Sequence, residues 1–191
     1  MSIAAHQARL EKILKTHPKV PVVALKSMDL LPQLLEQLQQ MDIHLAEITL
    51  RTGCGLAAIT AIKKQQPEFV VAAGTVLDEA QFRAAAAAGA DFVVTPGFLP
   101  QLSDLALQLD LPLLPGVMTP SEVMQARNHG HRIMKLFPAQ RAGGVGMLKD
   151  LAGPFADIQF CPTGGISAAD MDTFFALPNV IAVGASWLGR V

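Results

Sequence analysis

The chain carries little charge and almost no cysteine. Of its 191 residues, 16% are Asp, Glu, Lys or Arg, and the formal net charge is −1. That balance offers no basic surface for a nucleic-acid backbone, so no nucleic-acid partner is expected. The two cysteines, Cys54 and Cys161, lie far apart and form no C-x-x-C pair. Free thiols in a reducing cytoplasm are the expectation. No apolar run approaches the length of a membrane span. The first twenty residues have scattered charges and no apolar centre of signal-peptide type. The five histidines are His6, His17, His44, His129 and His131, and none falls at the end of a predicted strand. They form no set with carboxylates at metal-ligand spacing, so neither metal nor cofactor is expected.

What is present is a rhythm. With 51% hydrophobic residues the chain can bury a substantial core. An amphipathic helix is predicted over about 3 to 16, ended by His17-Pro18. Eight short apolar runs follow: Val20–Leu25, Leu45–Leu50, Phe69–Val76, Phe92–Pro96, Leu111–Met118, His131–Ala139, Ile158–Thr163 and Val180–Trp187. Each is β-rich, ends near Gly, Thr, Pro or Ser, and precedes a stretch that reads as helix. Thr119-Pro120-Ser121-Glu122 is a capping box, and Ser167-Ala168-Ala169-Asp170 a weaker one. Ala84–Ala88 is a strong helix former with Gly89 as its C-cap.

Eight parallel strands with intervening helices predict a (β/α)8 TIM barrel, and the absence of a linker predicts one domain over residues 1–191. An open doubly-wound sheet is the alternative, but no G-x-G-x-x-G follows the first run. Val191 comes soon after the eighth run, so the barrel is expected to lack its final C-terminal helix. Either the natural chain continues past Val191, or the N-terminal helix or a neighbouring subunit covers that flank.

Chemistry in such a barrel gathers at the C-terminal ends of the strands. The sixth run holds a lysine among apolar residues. Alternation puts Ile133, Lys135 and Phe137 on one side and Met134 and Leu136 on the other. Burial disfavours an ammonium, and a neutral amine can attack a carbonyl to form a Schiff base. A lysine that pairs with a carboxylate, or reaches solvent at the strand end, is the plainer reading of that stretch. The second run places Glu47, Thr49 and Arg51 on one face, with Ile48 and Leu50 on the other. Two charges inside a barrel mouth are costly unless paired or functional, and a structural Glu47–Arg51 pair is the alternative. Gly164 and Gly165, beside Ser167, with the Gly184–Ser186 turn, suggest a cradle of backbone N–H groups for a phosphate.

Taken together these stretches resemble the 2-keto-3-deoxy-6-phosphogluconate (KDPG) and 4-hydroxy-2-oxoglutarate (KHG) aldolases. The matching segments are Ala46–Thr52, Ala73–Leu77, Thr95–Gly97, Leu114–Val117, Lys135–Ala139, Cys161–Ser167 and Gly184–Trp187. They are specific as an ordered set and cover nearly the whole chain. The resemblance implies a Schiff-base aldolase, a carbon–carbon lyase of the Entner-Doudoroff pathway. It would release pyruvate and glyceraldehyde 3-phosphate from KDPG, or pyruvate and glyoxylate from KHG. It implies that Lys135 forms the Schiff base and Glu47 is the general acid/base. Arg51 would hold the pyruvate carboxylate, with Thr75 and Pro96 lining that end and Phe137 packing on the pyruvate. Thr163 would face the sugar hydroxyls, and Gly164, Gly165, Gly184 and Ser186 the phosphate. A cytoplasmic homotrimer is implied as well. A phosphosugar isomerase or epimerase on the same barrel, or a non-catalytic phosphate-ligand sensor, stays open as the alternative.

Overall fold

A computed structural model describes residues 2–191. Helix α1 (Ile3–Thr16) starts at Ser2, whose hydroxyl accepts the Ala5 N–H at 3.3 Å. Nine short strands follow: β1 (Lys19–Val23), β2 (Leu45–Thr49), β3 (Val70–Gly74), β4 (Phe92–Val94), β5 (Leu113–Leu114), β6 (Gly116–Val117), β7 (Ile133–Leu136), β8 (Gln159–Phe160) and β9 (Val183–Ala185). Between them lie α2 (Leu31–Gln40), α3 (Gly55–Gln65), α4 (Glu79–Ala87), α5 (Pro100–Gln108), α6 (Pro120–Asn128), α7 (Gly144–Ala152) and α8 (Met171–Phe175).

The fold is α/β, built on a curled sheet whose strand pairs are all parallel. Strands run in the order β5-β4-β3-β2-β1-β9, and a second group runs β6-β7-β8. Two single bridges, Phe160 to Val180 and Thr163 to Gly184, link the β8 and β9 sides. The fifth expected strand, Leu111–Met118, is broken at Pro115 into β5 and β6. Proline has no N–H for the ladder, while its carbonyl still accepts the Lys135 N–H at 2.8 Å.

Strand alternation divides the apolar residues into two clusters. Ala46, Ile48, Met134 and Leu136 belong to the large cluster packed under the helices. Leu45 and Ile133, on the opposite strand faces, join Val20, Phe92, Leu114 and Cys161 in a second cluster with Leu10 and Leu14 of α1. Glu47 and Lys135 continue the faces of Leu45 and Ile133 by one strand period, toward the C-terminal ends. The capping box forms as read from sequence: the Thr119 N–H donates to Glu122 Oε2 at 2.8 Å, and the Glu122 N–H to Thr119 Oγ1 at 3.4 Å. Gly89, just past α4, has φ +89°, the left-handed geometry of a C-cap. No helix among the described residues is long and apolar enough to cross a membrane.

Helix α1 closes the N-terminal ends of the strands. His6 and Arg9 of this helix both bond Asp110, and a single amide ties it to β7. Gln7 Oε1 accepts the N–H groups of Arg132 and Ile133, both at 2.8 Å. The Gln7 NH2 must therefore face His131 Nδ1, 3.2 Å away, as a donor. That fixes the neutral tautomer of His131, whose Nε2–H donates to Ser103 Oγ at 2.8 Å. A proton on Nδ1 would set two donors against each other. On the β9 side, by contrast, the turn Ser186–Gly189 packs against β1 and α2.

Burial, reinforced by His129, His6 and Arg132, pushes the His131 imidazole down to about 4. The unfolded chain gains this proton near pH 6.5, the folded chain only near pH 4. Stability is therefore complete above pH 6.5 and falls as pH drops from 6.5 to 4, by about 3 kcal/mol from this group. Urea unfolding between pH 8 and pH 4 should show the loss, and a His131→Leu variant should show a shallower slope. Equal slopes in the two proteins would remove His131 as the source.

Candidate active site

A cavity of about 120 Å³ opens among the C-terminal strand ends, lined by Val22, Glu47, Arg51, Thr75, Pro96, Lys135, Phe137 and Thr163. Seven of these eight are candidate site residues in the sequence. The eighth, Val22, sits two residues after the inward-facing Val20 and near the end of β1. Alternation along β1 can find it, but an apolar residue in an apolar strand carries no chemical flag.

Lys135 Nζ donates to Glu47 Oε1 at 3.0 Å and to Oε2 at 3.3 Å. Both side chains are deeply buried, Lys135 at 5% and Glu47 at 2% exposure. The carboxylate partner of the plainer sequence reading is thus the other residue of interest. Among the described residues Glu47 makes no ion pair with Arg51. A pair 3.0 Å apart can pass a proton from nitrogen to oxygen, which leaves a neutral amine beside a carboxylic acid. Lys135 Nζ also lies 5.3 Å from the centroid of the Phe137 ring.

The backbone around the pair leaves no spare room. A Cβ on Gly74 would lie 2.8 Å from the Glu47 carboxyl carbon and closer still to Cγ and Oε1. The bare glycine backbone is a shelf on which the Glu47 side chain rests. Thr75, next along, holds φ +58°, left-handed geometry for a β-branched residue. Such strain costs about 1–3 kcal/mol and concentrates where a side chain must be aimed. Arg51 lies two residues past β2, is exposed, and donates its Nε–H to Thr49 Oγ1 at 3.3 Å.

The remaining predicted residues adjoin the cavity without lining it. The bridge between Thr163 and Gly184 sets the β8 and β9 loops side by side. Gly164 and Gly165 have φ +104° and +78°, and among the described residues neither N–H finds an acceptor. Two consecutive open backbone donors in a turn can receive an anion. Gly184 is buried against Thr163: a Cβ there would lie 2.8 Å from Thr163 Cγ2 and closer to Oγ1. Ser186 is exposed at the rim. The helix expected to start at Ser167 starts instead at Met171. Residues 167–170 form a turn in which the Ser167 N–H and hydroxyl both donate to Asp170 Oδ2, at 3.2 and 2.6 Å. The Ser167 hydroxyl and N–H hold the Asp170 carboxyl below its usual range. The open donors are therefore those of the two glycines, not the end of a long helix.

Cys161 is buried behind Thr163, and burial pushes its thiol up to about 12, so it stays protonated. Cys54 is a free thiol at the start of α3. A larger cavity, about 670 Å³, lies at the other end of β7 beside α1. It contains none of the predicted site residues, and its Asp157 already pairs with Arg127 at 3.0 Å and Arg132 at 3.1 Å. The buried amine–carboxylate pair, rather than cavity size, makes the smaller cavity the candidate site.

Residues 10–191 match the family model described as KDPG and KHG aldolase. The chain is 44% identical over 182 residues to the 2-dehydro-3-deoxy-phosphogluconate aldolase of Pseudomonas aeruginosa, covering 95% of this chain and 82% of that one. Identity to the KHG/KDPG aldolase of Escherichia coli is 42% over 178 residues, covering 93% and 84%. Among solved structures, the KDPG aldolase of Legionella pneumophila, with pyruvate captured as a covalent carbinolamine, superposes with a TM-score of 0.89. It is 37% identical, and the match covers 93% of this chain and 86% of that one.

Proposed function

The chain belongs to the KDPG and KHG aldolase family, and we propose that it cleaves 2-keto-3-deoxy-6-phosphogluconate to pyruvate and glyceraldehyde 3-phosphate through a Schiff base on Lys135. The observation that carries this reading is the Lys135–Glu47 pair, buried at 3.0 Å in a cavity shared with Arg51, Thr75 and Phe137. Cleavage of 4-hydroxy-2-oxoglutarate to pyruvate and glyoxylate belongs to the same reading. So do a (β/α)8 barrel over residues 1–191, supported by the parallel pairs and the β8–β9 bridges, and a cytoplasmic homotrimer, carried from the family resemblance.

In the mechanism, Glu47 takes a proton from Nζ and frees the amine. The amine attacks C2 of the keto acid, Glu47 gives its proton to the departing C2 hydroxyl, and loss of water leaves an iminium beside a carboxylate that is again free to accept. Glu47 then accepts the C4 hydroxyl proton, directly or through a water. As the aldehyde forms, the C3–C4 bond breaks and its electron pair moves into the iminium, giving an enamine. The aldehyde leaves, Glu47 returns its proton to C3, and water hydrolyses the pyruvate iminium. Arg51 grips the carboxylate with two parallel donors, a geometry a lysine cannot match. Phe137, which lines the same cavity, packs against the pyruvate moiety.

The test is borohydride reduction in the presence of pyruvate, followed by peptide mass analysis. A reduced pyruvate adduct on Lys135 is expected. No adduct would reject Schiff-base chemistry and favour an isomerase or a sensor, whereas an adduct on another lysine would move the nucleophile away from Lys135.

The phosphate end is tested separately. At Gly165 φ is +78°, and a Cβ would lie 3.1 Å from Gln140 Cβ. A Gly165→Val substitution should turn this backbone out of its left-handed geometry and withdraw the paired N–H donors. Losing two charge-assisted bonds should lower kcat/KM for the phosphorylated substrate by roughly 100-fold. For 4-hydroxy-2-oxoglutarate, which has no phosphate, the change should be small. Equal losses for both substrates in a protein with an unchanged melt would move the phosphate site elsewhere.

A further inference from the structure

Thr49, beside the site, carries a buried hydroxyl that the mechanism does not use. Thr49 ends β2 on the Glu47 face and is 1% exposed. Its Oγ1 donates to the carbonyl of Val23, at the end of β1, at 2.8 Å. A hydroxyl has one proton, and here that proton is committed. Toward the cavity the oxygen can only accept, and what it accepts is the Nε–H of Arg51, at 3.3 Å. The geometry points to Thr49 as a positioning residue for Arg51, fixing which edge of the guanidinium meets the substrate carboxylate. This rests on the reading of Arg51 as the carboxylate grip.

Arg51 stands past the strand end and is exposed, so its long side chain has many rotamers to lose on binding. A guanidinium can meet a carboxylate through Nη1 and Nη2, or through Nε and one Nη. With Nε held by Thr49 only the first way remains. The anchor is rigid because β1 and β2 are laddered at this height, Val23 opposite Ile48. Cross-strand bonding alone would explain a threonine that satisfies the Val23 carbonyl. It would not explain why the spare lone pair of the same oxygen meets the one Arg51 donor not needed for an end-on grip.

The experiment reads the pyruvate concentration for half-maximal borohydride trapping at Lys135. Thr49→Val keeps the shape and removes the hydroxyl. It should raise that concentration roughly tenfold, the cost of one hydrogen bond to a charged group. Thr49→Ser keeps the hydroxyl and should restore the wild-type value. Introduced into an Arg51→Ala protein, the valine should change nothing further, because the residue it acts through is gone. Additive effects of the two substitutions, or a serine variant as weak as the valine one, would overturn the proposal in favour of a packing role. If the valine variant does not fold, Thr49→Cys, whose thiol bonds only weakly, takes its place in the same cycle. Absence of any wild-type adduct at Lys135 would instead reject the proposed function, so the two failures are distinguishable.

Discussion

Replacing Lys135 with Met is expected to lower aldol cleavage by roughly 10⁴-fold or more, the scale of losing a covalent nucleophile. Pyruvate trapping should vanish with it. Sequence alone suggests that this exchange costs little stability, since methionine fills a similar volume. The structure changes that expectation. Lys135 is the partner of a carboxylate that is 2% exposed, so removing it strands Glu47. Breaking a buried pair from one side costs about 3 kcal/mol or more. The single variant should therefore unfold at clearly lower urea concentration than wild type. A Lys135→Met, Glu47→Gln double variant, with no charge left to strand, should recover most of that stability and none of the activity. Turnover retained in either folded variant would exclude Lys135 as the nucleophile. A stable single variant would show that the pair is less buried in solution than in the structure.

The second large effect comes from the smallest possible change. Gly74→Ala adds one methyl, which would lie within 2.8 Å of the Glu47 carboxyl carbon. The methyl meets a side chain locked into a buried ion pair, so Glu47 must rotate away from Lys135. Removing a positioned general acid/base costs about 10²–10⁴-fold, and kcat should fall by that order. Overpacking adds about 1–3 kcal/mol of destabilisation. In a Glu47→Ala background the clash disappears, so Gly74→Ala should cost little extra stability and no further activity. Should Gly74→Ala alone leave kcat within about threefold of wild type, well short of the loss of a positioned acid/base, Glu47 would not need the position seen here.

Much of this site is legible in the sequence, for a physical reason. Alternation is a strict rule of extended chain. It therefore separates Glu47 and Lys135 from Ile48 and Met134, and their neighbours fall into the two clusters it requires. What alternation cannot say is who faces whom across the interior. Glu47 and Lys135 are 88 residues apart, and their 3.0 Å contact depends on strand order and curl. The plainer reading of Lys135, a lysine paired with a carboxylate, is the contact observed, whereas the plainer reading of Glu47, a pair with Arg51, is absent among the described residues. The break at Pro115 is implicit in proline's missing N–H, yet a continuous apolar run masks it. The start of α8 differs from the sequence expectation for a subtler reason. Ser167 and Asp170 do make the reciprocal bonds of a cap, but they close a turn, and the helix begins only at Met171. The lock between Gln7 and His131 is not visible in the sequence at all, since both residues look like ordinary surface polars in a linear pattern.

The pairing of Lys19 with Val183 has a consequence in time. A ribosome makes β1 about 160 residues before it makes β9, and at 5–20 residues per second that interval is roughly 10 to 30 s. Throughout it, β1 can lean on β2 from one side only. Its other edge, with Val20 and Pro21 opposite residues not yet synthesised, offers open backbone groups to any nascent chain nearby. Lys19 places a charge beside that edge, which discourages strand-to-strand association. Synthesis rate and chaperone supply should thus govern the yield of folded protein more than the equilibrium stability of the finished sheet does.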